Sequence, residues 1–353
     1  MTNSVKCFII TRDRNIVMDY KMVTIYDIAK KAKVSSATVS RVLNGGSVSP
    51  STKERIMRII EKEGYTPDSN AIYLKRAKTK KIGLIVPDIS NPGYPETVKV
   101  IHDIMKSKGY HLILGNTYRN IEEEKSILEI MQRERVAGII VATCEGEDDR
   151  ILYPLFKRLI ENGIPVVFMG KKKERLPVDI ISVNNFTGAF KMTDYLLRTG
   201  KKKIGFIAGR KSLRATEERL AGYIEAHKKR GMKIHSEIVI CEGEYTIEFG
   251  KKWTEKIIKE KVDAIFCGND LMAIGAINKI EASGFKVPED IAVAGFDDIF
   301  LATLVKPSLT TVHQPLEKIA SIGCERLIGW IKRKLKENEE ILIEPEIIIR
   351  ESA

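Results

Sequence analysis

The sequence predicts an α/β protein in which a small all-α headpiece precedes a body of two doubly wound parallel sheets. Three short amphipathic helix patterns lie between residues 24 and 64. After residue 81, short β-branched runs alternate with longer amphipathic segments, which is typical of parallel sheets covered by helices on both faces. The chain also concentrates its excess positive charge before that point. These observations separate a basic helical module from a larger two-lobed body.

The headpiece consists of three short helices with a tight turn between the first two. Thr24 caps the first, whose apolar residues recur at the spacing of one helix face: Ile25, Ile28, Ala29 and Ala32. Ser35 caps a second helix over residues 36–43, and Ser49 caps a third with Pro50 at its first position. This arrangement predicts a helix-turn-helix module within residues 22–67.

Charge along the chain favours a polyanion as the partner of this module. The net charge is +12, and residues 22–81 carry thirteen basic and five acidic side chains. A basic module joined to a nearly neutral body is typical of nucleic-acid binding. Taken alone, the same charge is also compatible with a solvated lysine-rich surface.

The body contains nine candidate strands, which is more than we expect in a single sheet. They span residues 82–86, 111–115, 138–142, 166–169, 180–183, 204–208, 238–241, 264–267 and 291–295. We therefore expect two similar lobes with one ligand cleft between them. Doubly wound sheets bind ligands beyond the carboxyl ends of their strands, so the residues that follow each run are candidate ligand contacts.

Targeting, membrane and cysteine signals are weak. Residues 1–21 show neither helical nor strand periodicity, which predicts a disordered tail or an upstream translation start. No apolar run approaches the roughly 20 residues of a membrane span, and no signal peptide is recognisable, so we expect a cytoplasmic protein. The five scattered cysteines contain no Cys-x-x-Cys pair, which favours simple thiols over disulfides or a zinc site.

Several longer motifs resemble the lactose and purine repressor family of bacterial transcription regulators. The helix-turn-helix stretch TIYDIAKKAKVSSATVSRVLN at 24–44 is followed by GYTP at 64–67 and by Ala71 and Leu74 at the family's spacing. In the body, the matching segments are 82–92, 200–208, 219–223, 268–275, 295–298 and 309–315. The resemblance covers essentially everything after residue 22 and implies a periplasmic-binding-protein-like body.

The second helix is expected to read DNA through the exposed side chains of its first turns. Such a helix enters the major groove by its N-terminal end. Arg41 can pair two donors with a guanine, a contact that discriminates between bases by about 1 to 3 kcal/mol, and Ala37 suits a thymine methyl. Tyr26 and Ser40 suit phosphates, although either can instead be a cap or a core-edge residue. The expected DNA contacts are Thr24, Tyr26, Ser35, Ser36, Ala37, Thr38, Ser40, Arg41, Asn44, Asn70, Ala71 and Leu74.

Residues 68–80 are predicted to form a hinge helix and linker. Nine residues, 68–76, are too few to hold an isolated helix in water, so this helix is expected to order only with DNA and a second copy of the chain. By resemblance, Leu74 wedges into the minor groove at the operator centre. An ordinary linker helix is the alternative.

The resemblance also places six side chains around the cleft. They are Asn91, Tyr94, Arg219, Tyr245, Asn269 and Asp297. Their amides, charges and flat rings suit the hydroxyls and faces of a sugar-like molecule. Gly93 stands where many relatives carry an aromatic residue, and Asn184-Asn185 where many carry Asp-Asn, so the ligand is not transferable from a relative. Asp270, Asp297 and Asp298 can alternatively serve only as helix caps.

The predicted function is a homodimeric, sequence-specific repressor of carbohydrate-related genes that binds a palindromic operator and a small effector. The effector-binding and dimerisation domain spans 81–353, with an N-lobe of about 81–183 and 314–341 and a C-lobe of about 184–313 and 342–353. A protein corepressor in place of the small molecule, or a sugar-binding protein without regulatory role, are the alternatives. Phosphate-loop, nucleophile-elbow and metalloprotease motifs are missing from the sequence, so we expect no enzyme, cofactor or metal.

Overall fold

The computed structural model describes residues 5–11, 14–20, 23–43, 46–65, 79–142, 149–170 and 176–353. The chain divides into two units, residues 1–78 and 79–353. The second unit begins at the end of the predicted linker, where Thr79 Oγ1 donates to the carbonyl of Arg135 (2.7 Å). Each unit has its own core.

The amino-terminal segment forms a two-stranded antiparallel sheet. Strands β1 (Val5–Thr11) and β2 (Arg14–Tyr20) pair so that Val5 faces Tyr20 and Thr11 faces Arg14. The prediction of a disordered tail is therefore wrong over these two segments. Both are seven residues long, rich in β-branched residues and separated by two residues, which suits a hairpin. Adjacent apolar residues such as Ile9 and Ile10 interrupt the alternation by which such strands are recognised.

Three helices build the headpiece as predicted. They are α1 (Ile25–Ala32), α2 (Ser36–Leu43) and α3 (Pro50–Glu63). Their shared core consists of the buried residues Ile28, Ala29, Ala32, Val39, Val42 and Ile56. The predicted side-chain cap by Ser49 is wrong, because its hydroxyl donates to the Thr52 hydroxyl (2.8 Å) and makes no bond to the backbone of α3. Gly64 ends the helix with φ of 61°. The helix-turn-helix therefore rests on a continuous apolar centre.

The first lobe is a six-stranded parallel sheet in the order β13-β7-β6-β5-β3-β4. Its strands are β3 (Lys81–Val86), β4 (His111–Asn116), β5 (Gly138–Ala142), β6 (Val166–Met169), β7 (Asp179–Val183) and β13 (Glu340–Ile343). Four helices cover it: α4 (Gly93–Ser107), α5 (Ile121–Arg133), α6 (Asp149–Glu161) and α11 (Leu316–Ile331). Apolar clusters centred on Leu327 and on Phe156 fill the two faces of the sheet.

The second lobe repeats this architecture in the order β14-β12-β11-β10-β8-β9, and only β14 runs antiparallel to its neighbour. Its strands are β8 (Ile204–Gly209), β9 (Val239–Gly243), β10 (Ala264–Cys267), β11 (Ala292–Asp297), β12 (Thr310–His313) and β14 (Glu346–Ile348). Its helices are α7 (Asn185–Arg198), α8 (Arg214–Lys229), α9 (Ile247–Ile258) and α10 (Asp270–Ala282). Short 3₁₀ turns span Ser236–Ile238 and Phe300–Thr303. The predicted fold class of two doubly wound sheets is confirmed.

Three chain crossings join the lobes. They follow β7 at Asn184, β12 at Gln314-Pro315 and β13 at Glu344-Pro345. The last crossing comes two residues later than predicted, because β13 continues to Ile343 alongside β7. Asn184 Nδ2 donates to Glu344 Oε1 (2.8 Å) and so ties two crossings together.

Candidate nucleic-acid interface and interlobe cleft

The ends of α1 and α2 are held by the caps expected from the sequence. The Thr24 hydroxyl accepts from the Asp27 amide (3.3 Å), while the Asp27 carboxylate accepts from the Thr24 amide (2.9 Å). Lys33 ends α1 in a left-handed conformation, and Ser35 Oγ accepts from the Thr38 amide (3.2 Å) at the start of α2. Three side-chain bonds to backbone amides therefore fix the starts of α1 and α2, and the left-handed Lys33 forms the turn between the two helices.

One face of α2 is free of the headpiece core. Ala37 and Arg41 are both exposed and lie four residues apart, so they share a helix face opposite the buried Val39. Gly46 lies directly below Arg41: a Cβ on Gly46 would approach Arg41 Cγ to 2.5 Å. The glycine thus leaves room for the stem of the one arginine on this helix.

The other predicted DNA contacts in the described headpiece surround this face. Tyr26 is 73% exposed, and Ser35 and Thr24 are exposed at the two caps. Ser36, Thr38 and Ser40 are half-buried. Asn44, Asn70, Ala71 and Leu74, together with the predicted hinge helix, lie outside the described residues.

A cavity of about 160 Å³ opens between the two lobes at the carboxyl ends of their strands. The six side chains predicted for the cleft all line it: Asn91, Tyr94, Arg219, Tyr245, Asn269 and Asp297. They come from three loops, from the last residue of β11 and from helices α4 and α8, so only the fold brings them together.

Arg219 lies in the second-lobe wall with its guanidinium fixed from several sides. Its Nε donates to Asn185 Oδ1 (2.9 Å), another nitrogen donates to the Gly268 carbonyl, and the ring of Phe296 lies 3.7 Å from its guanidinium carbon. Its terminal nitrogen is 3.6 Å from Asp297 Oδ1. Only 6% of the residue is exposed. The arginine is therefore orientated before any ligand arrives.

Asn269 and Tyr245 are held by each other and by helix α10. The Asn269 side chain caps this helix by accepting from the Met272 amide (2.9 Å), and its Nδ2 donates to the Tyr245 carbonyl (3.4 Å). The Tyr245 hydroxyl shares a 2.7 Å bond with Thr216. Its ring packs on Gly209, where a Cβ would lie 2.5 Å from the ring. Both side chains consequently present fixed groups to the cavity.

Asp297 ends strand β11 with a positive φ of 116°. Its Oδ1 accepts from Gln314 Nε2 (2.5 Å), which belongs to the crossing after β12. Burial raises the pKa of this carboxyl to about 6, although the Arg219 guanidinium and the Gln314 bond pull it down. Asp297 therefore changes its charge close to neutral pH.

The two neighbouring aspartates hold the fold around Asp297. Buried Asp270 is the first residue of α10 and accepts from the Thr311 hydroxyl (2.5 Å) and the Ile299 amide (2.8 Å). Asp298 bonds His313 Nδ1 (2.9 Å) and accepts from Arg350 (2.7 Å). Burial, followed by the nearby charge of Asp297, raises the pKa of Asp270 well above its ordinary value. The side-chain cap of helix α10 is supplied by Asn269 and not by these aspartates.

The first-lobe wall is more apolar. Tyr94 packs against the core of this lobe, and Asn91 Oδ1 accepts from the Gly93 amide (3.2 Å) at the start of α4. The remaining apolar lining is Ala142, Met169, Ile181, Val183, Leu316 and Ile319. Polar groups of fixed orientation thus face an apolar wall across the cleft.

Comparisons with known proteins agree with this geometry. Residues 24–68 match the model "Bacterial regulatory proteins, lacI family", and residues 193–353 match a "Periplasmic binding protein-like domain". The chain is 35% identical over 336 residues to the HTH-type transcriptional repressor PurR of Pasteurella multocida, covering 94% of this chain and 98% of the relative. The chain belongs to the LacI family. As a LacI-family protein, it is a sequence-specific DNA-binding transcription regulator.

Solved LacI-family structures share the whole architecture. The transcriptional regulator CelR in complex with cellobiose is 30% identical, with a TM-score of 0.71 over 94% of this chain and all of that one. The lac repressor dimer bound to operator and the anti-inducer ONPF is 25% identical, with a TM-score of 0.81 over 94% and 99%. Both matches extend through headpiece and body.

The cleft of this LacI-family chain contains residues beyond the six predicted contacts. Asn185, Arg119 and Gln314 line it, as do the ends of strands β5 to β7. Gln314 lies inside a quoted family motif, and the strand ends follow the rule for doubly wound sheets, so those signals were available. Arg119 lies in a loop without a recognisable motif. No group of three potential metal ligands and no helix able to span a membrane occurs among the described residues.

Proposed function

We propose that this LacI-family regulator is a repressor whose affinity for operator DNA is set by a small polar effector bound in the interlobe cleft. One observation carries the proposal: six side chains chosen from the sequence line a single cavity, and their polar groups are already orientated. Fixed donors and acceptors beside flat rings suit a sugar-like molecule. The regulator acts in the cytoplasm and is not an enzyme.

Relatives support the sugar class and the assembly. The CelR structure is described as a complex with cellobiose, and a LacI-type regulator from Alkaliphilus metalliredigens, 30% identical over 78% of this chain, as a complex with D-xylulofuranose. The lac repressor is described as a dimer on its operator. We infer a homodimer here as well, which implies a palindromic operator with half-sites about one helical turn apart.

Closure of the lobes is the proposed link between the cleft and DNA. A ligand that contacts both walls favours one angle between the lobes, and Gln314 places one of the three crossings in the cavity itself. Any ligand that prefers one angle shifts the population of states, and its preference sets the size of the shift. If DNA binds one of the two lobe angles more tightly, this shift in population changes the affinity for DNA.

Thermal unfolding against a panel of sugars, sugar phosphates, nucleosides and purines tests the proposal. A ligand at about 100 times its dissociation constant adds about 2.7 kcal/mol to the free energy of unfolding, enough to raise the melting temperature by a few degrees. The active class should then change operator affinity in a fluorescence anisotropy titration. If no compound in the panel raises the melting temperature, a small-molecule effector of these classes is rejected and a protein corepressor is favoured.

A further inference from the structure

One ion pair joins the two lobes outside the interlobe cavity. Arg214 is the first residue of α8 in the second lobe, and its terminal nitrogen lies 3.9 Å from Glu340 Oε1 on edge strand β13 of the first lobe. The two side chains are 38% and 33% exposed, and neither belongs to the described residues that line the cavity. A contact between the lobes forms only at angles that keep α8 beside β13, so it favours those angles over others.

Glu218 connects this ion pair to the wall of the cavity. It lies one turn after Arg214 on α8, and its Oε1 accepts from Arg214 Nε (2.5 Å). Its Oε2 accepts from Asn185 Nδ2 (3.1 Å). Asn185 is only 5% exposed and is the first residue of α7, directly after the crossing at Asn184. One carboxylate thus joins the ion pair between the lobes to a buried side chain beside a crossing.

Asn185 continues this connection to Arg219 in the cleft. Its Oδ1 accepts from Arg219 Nε (2.9 Å), while its Nδ2 donates to Glu218. Arg219 in turn lies 3.6 Å from Asp297 Oδ1, which also accepts from Gln314 Nε2 (2.5 Å) at the crossing after β12. A continuous chain of polar contacts therefore runs from one crossing, through the cavity wall, to the edge of the first lobe.

The exposed ion pair is weak, but it acts on an equilibrium between lobe angles. An exposed pair of this kind changes an equilibrium constant by up to about fivefold. Such a change is small beside the folding equilibrium of a whole domain. It is as large as the lower end of typical allosteric couplings, which begin at about fivefold. One exposed pair between the lobes is therefore sufficient to adjust a regulator.

We propose that Arg214 and Glu340 form an interlobe latch, and that Glu218 and Asn185 couple this latch to Arg219 in the cleft. The inference rests on the proposed function, because it requires that the lobe angle sets the affinity for operator DNA. The latch stabilises the lobe angle of this structure. An effector that contacts Arg219 acts on the same chain of contacts from its other end.

Operator affinity in the absence of any ligand tests the latch. Operator DNA, selected by the wild-type protein from a random-sequence library, is titrated by fluorescence anisotropy with R214Q, E340Q and the double variant. Because both single variants break the same pair, we expect them to change the affinity in the same direction, by about twofold to fivefold. The double variant should show no more than the larger single effect. Direct charge effects on DNA would act in opposite directions, since R214Q removes a positive charge and E340Q a negative one.

Two further variants are controls for the latch. R214K keeps a charge that can pair with Glu340, so its operator affinity should lie between those of the wild type and R214Q. E346Q removes the same charge as E340Q from β14, the edge strand of the second lobe, where Glu346 is exposed. It should bind operator like the wild type.

The connection to the cleft is tested at Glu218. E218A removes the acceptor that holds the Asn185 amide, so Arg219 loses its fixed orientation. By calorimetry, E218A should bind the compound that raises the melting temperature most in the ligand panel at least about fivefold more weakly than E340Q does. E225A removes a carboxylate from the same helix, where Glu225 pairs with Lys228, and should bind the compound like the wild type.

The outcomes separate this inference from the proposed function. If R214Q and E340Q change operator affinity in opposite directions or leave it unchanged, the latch is overturned, whereas binding in the ligand panel still supports the effector. If E218A binds the compound as tightly as E340Q does, the connection to the cleft is overturned. If no panel compound binds, the small-molecule effector is rejected, and the titrations without ligand still decide the latch.

Discussion

At the scale of single residues, the base recognition that we propose for this regulator rests on one exposed arginine, Arg41, and on the neighbouring Gly46. Arg41 is the only arginine on α2. Its aliphatic side-chain carbons pack on Gly46, where any Cβ would collide with Arg41 Cγ. The Gly46 amide also donates to the Arg41 carbonyl (2.8 Å). A substitution at either position therefore acts on the same contact.

We expect Arg41→Ala to relax base preference at one position in each half-site, at about 1 to 3 kcal/mol per half-site. Binding to a library of half-site variants measures the effect. Arg58→Ala removes an equal charge from the exposed face of α3, where Arg58 pairs with Glu54, and serves as the control. If Arg41→Ala weakens all sequences equally, Arg41 contacts only phosphate.

Asp297 gives the body a pH dependence with a definite sign. Its pKa is raised to about 6 by burial, so the folded protein holds this proton more tightly than the unfolded chain, whose carboxyl titrates near about 3.9. The contribution of Asp297 to stability is therefore complete below about pH 4 and declines as pH rises through about 6. Arg219, Asp270 and Gln314 are the groups that face it.

The expected signature of Asp297→Asn is a melting temperature that exceeds the wild-type value by a margin that grows between about pH 4 and pH 6 and stays constant above about pH 7. The amide keeps an acceptor for Gln314 and mimics the protonated acid, so the two proteins should converge below about pH 4. Thermal scans across this range provide the measurement. A variant that is less stable than the wild type at pH 8 would show that pairing with Arg219 outweighs burial.

At the scale of elements, helix α11 is anchored to its sheet by a buried ionic network. Asp179 at the start of β7 is fully buried and accepts from Arg326 (2.7 and 2.8 Å), from Trp330 Nε1 (2.7 Å) and from the Glu339 amide (2.8 Å). Burial alone would raise the pKa of Asp179, but these four bonds outweigh it and hold the pKa below its usual value. One carboxylate thus joins α11, β7 and the segment before β13.

Asp179→Asn should lower the free energy of unfolding by about 3 kcal/mol, because it removes the buried counter-charge of Arg326, which then keeps only the exposed Glu339. Urea unfolding at pH 7 measures the loss. Since the wild-type pKa is depressed, the contribution of this ion pair is present above about pH 4 and disappears as pH falls through the folded pKa. Asp103→Asn, at an exposed pair with Lys99, should change stability by less than about 1 kcal/mol.

Sequence patterns predicted the central elements better than the marginal ones. Buried strands such as Gly138–Ala142 and Ala264–Cys267 have the predicted bounds, because continuous apolar runs mark strands covered on both faces. Edge strands β13 and β14 were missed, since a strand exposed on one side carries Glu340 and Glu346 among its apolar residues. The hairpin β1–β2 was missed because its two strands lack a regular alternation of apolar and polar residues.

The cleft shows the same limit. Segments that resemble the family's motifs located Arg219 and Asp297, but the position of Arg119 depends on a left-handed turn that neither periodicity nor composition reveals.

At the scale of the whole molecule, the proposed control requires that effector and operator alter each other's affinity. Linkage makes the two effects equal: if the effector changes operator affinity by some factor, the operator changes effector affinity by the same factor. Allosteric couplings of this kind are typically about 5-fold to 150-fold. A protein that only binds sugars, with no regulatory role, would show a factor of one in both directions.

The test of this linkage uses the compound from the ligand panel that raises the melting temperature most. Anisotropy titrations of labelled operator with and without it give one factor, and calorimetric titrations of the compound with and without operator give the other. We expect the two factors to agree and to differ from one. A duplex with scrambled half-sites is the control, because non-specific contacts are made to phosphates and depend less on the position of the two headpieces. Because the two factors must be equal at equilibrium, only their common value tests the proposal. If the compound leaves the affinity for the true operator unchanged, effector control is rejected.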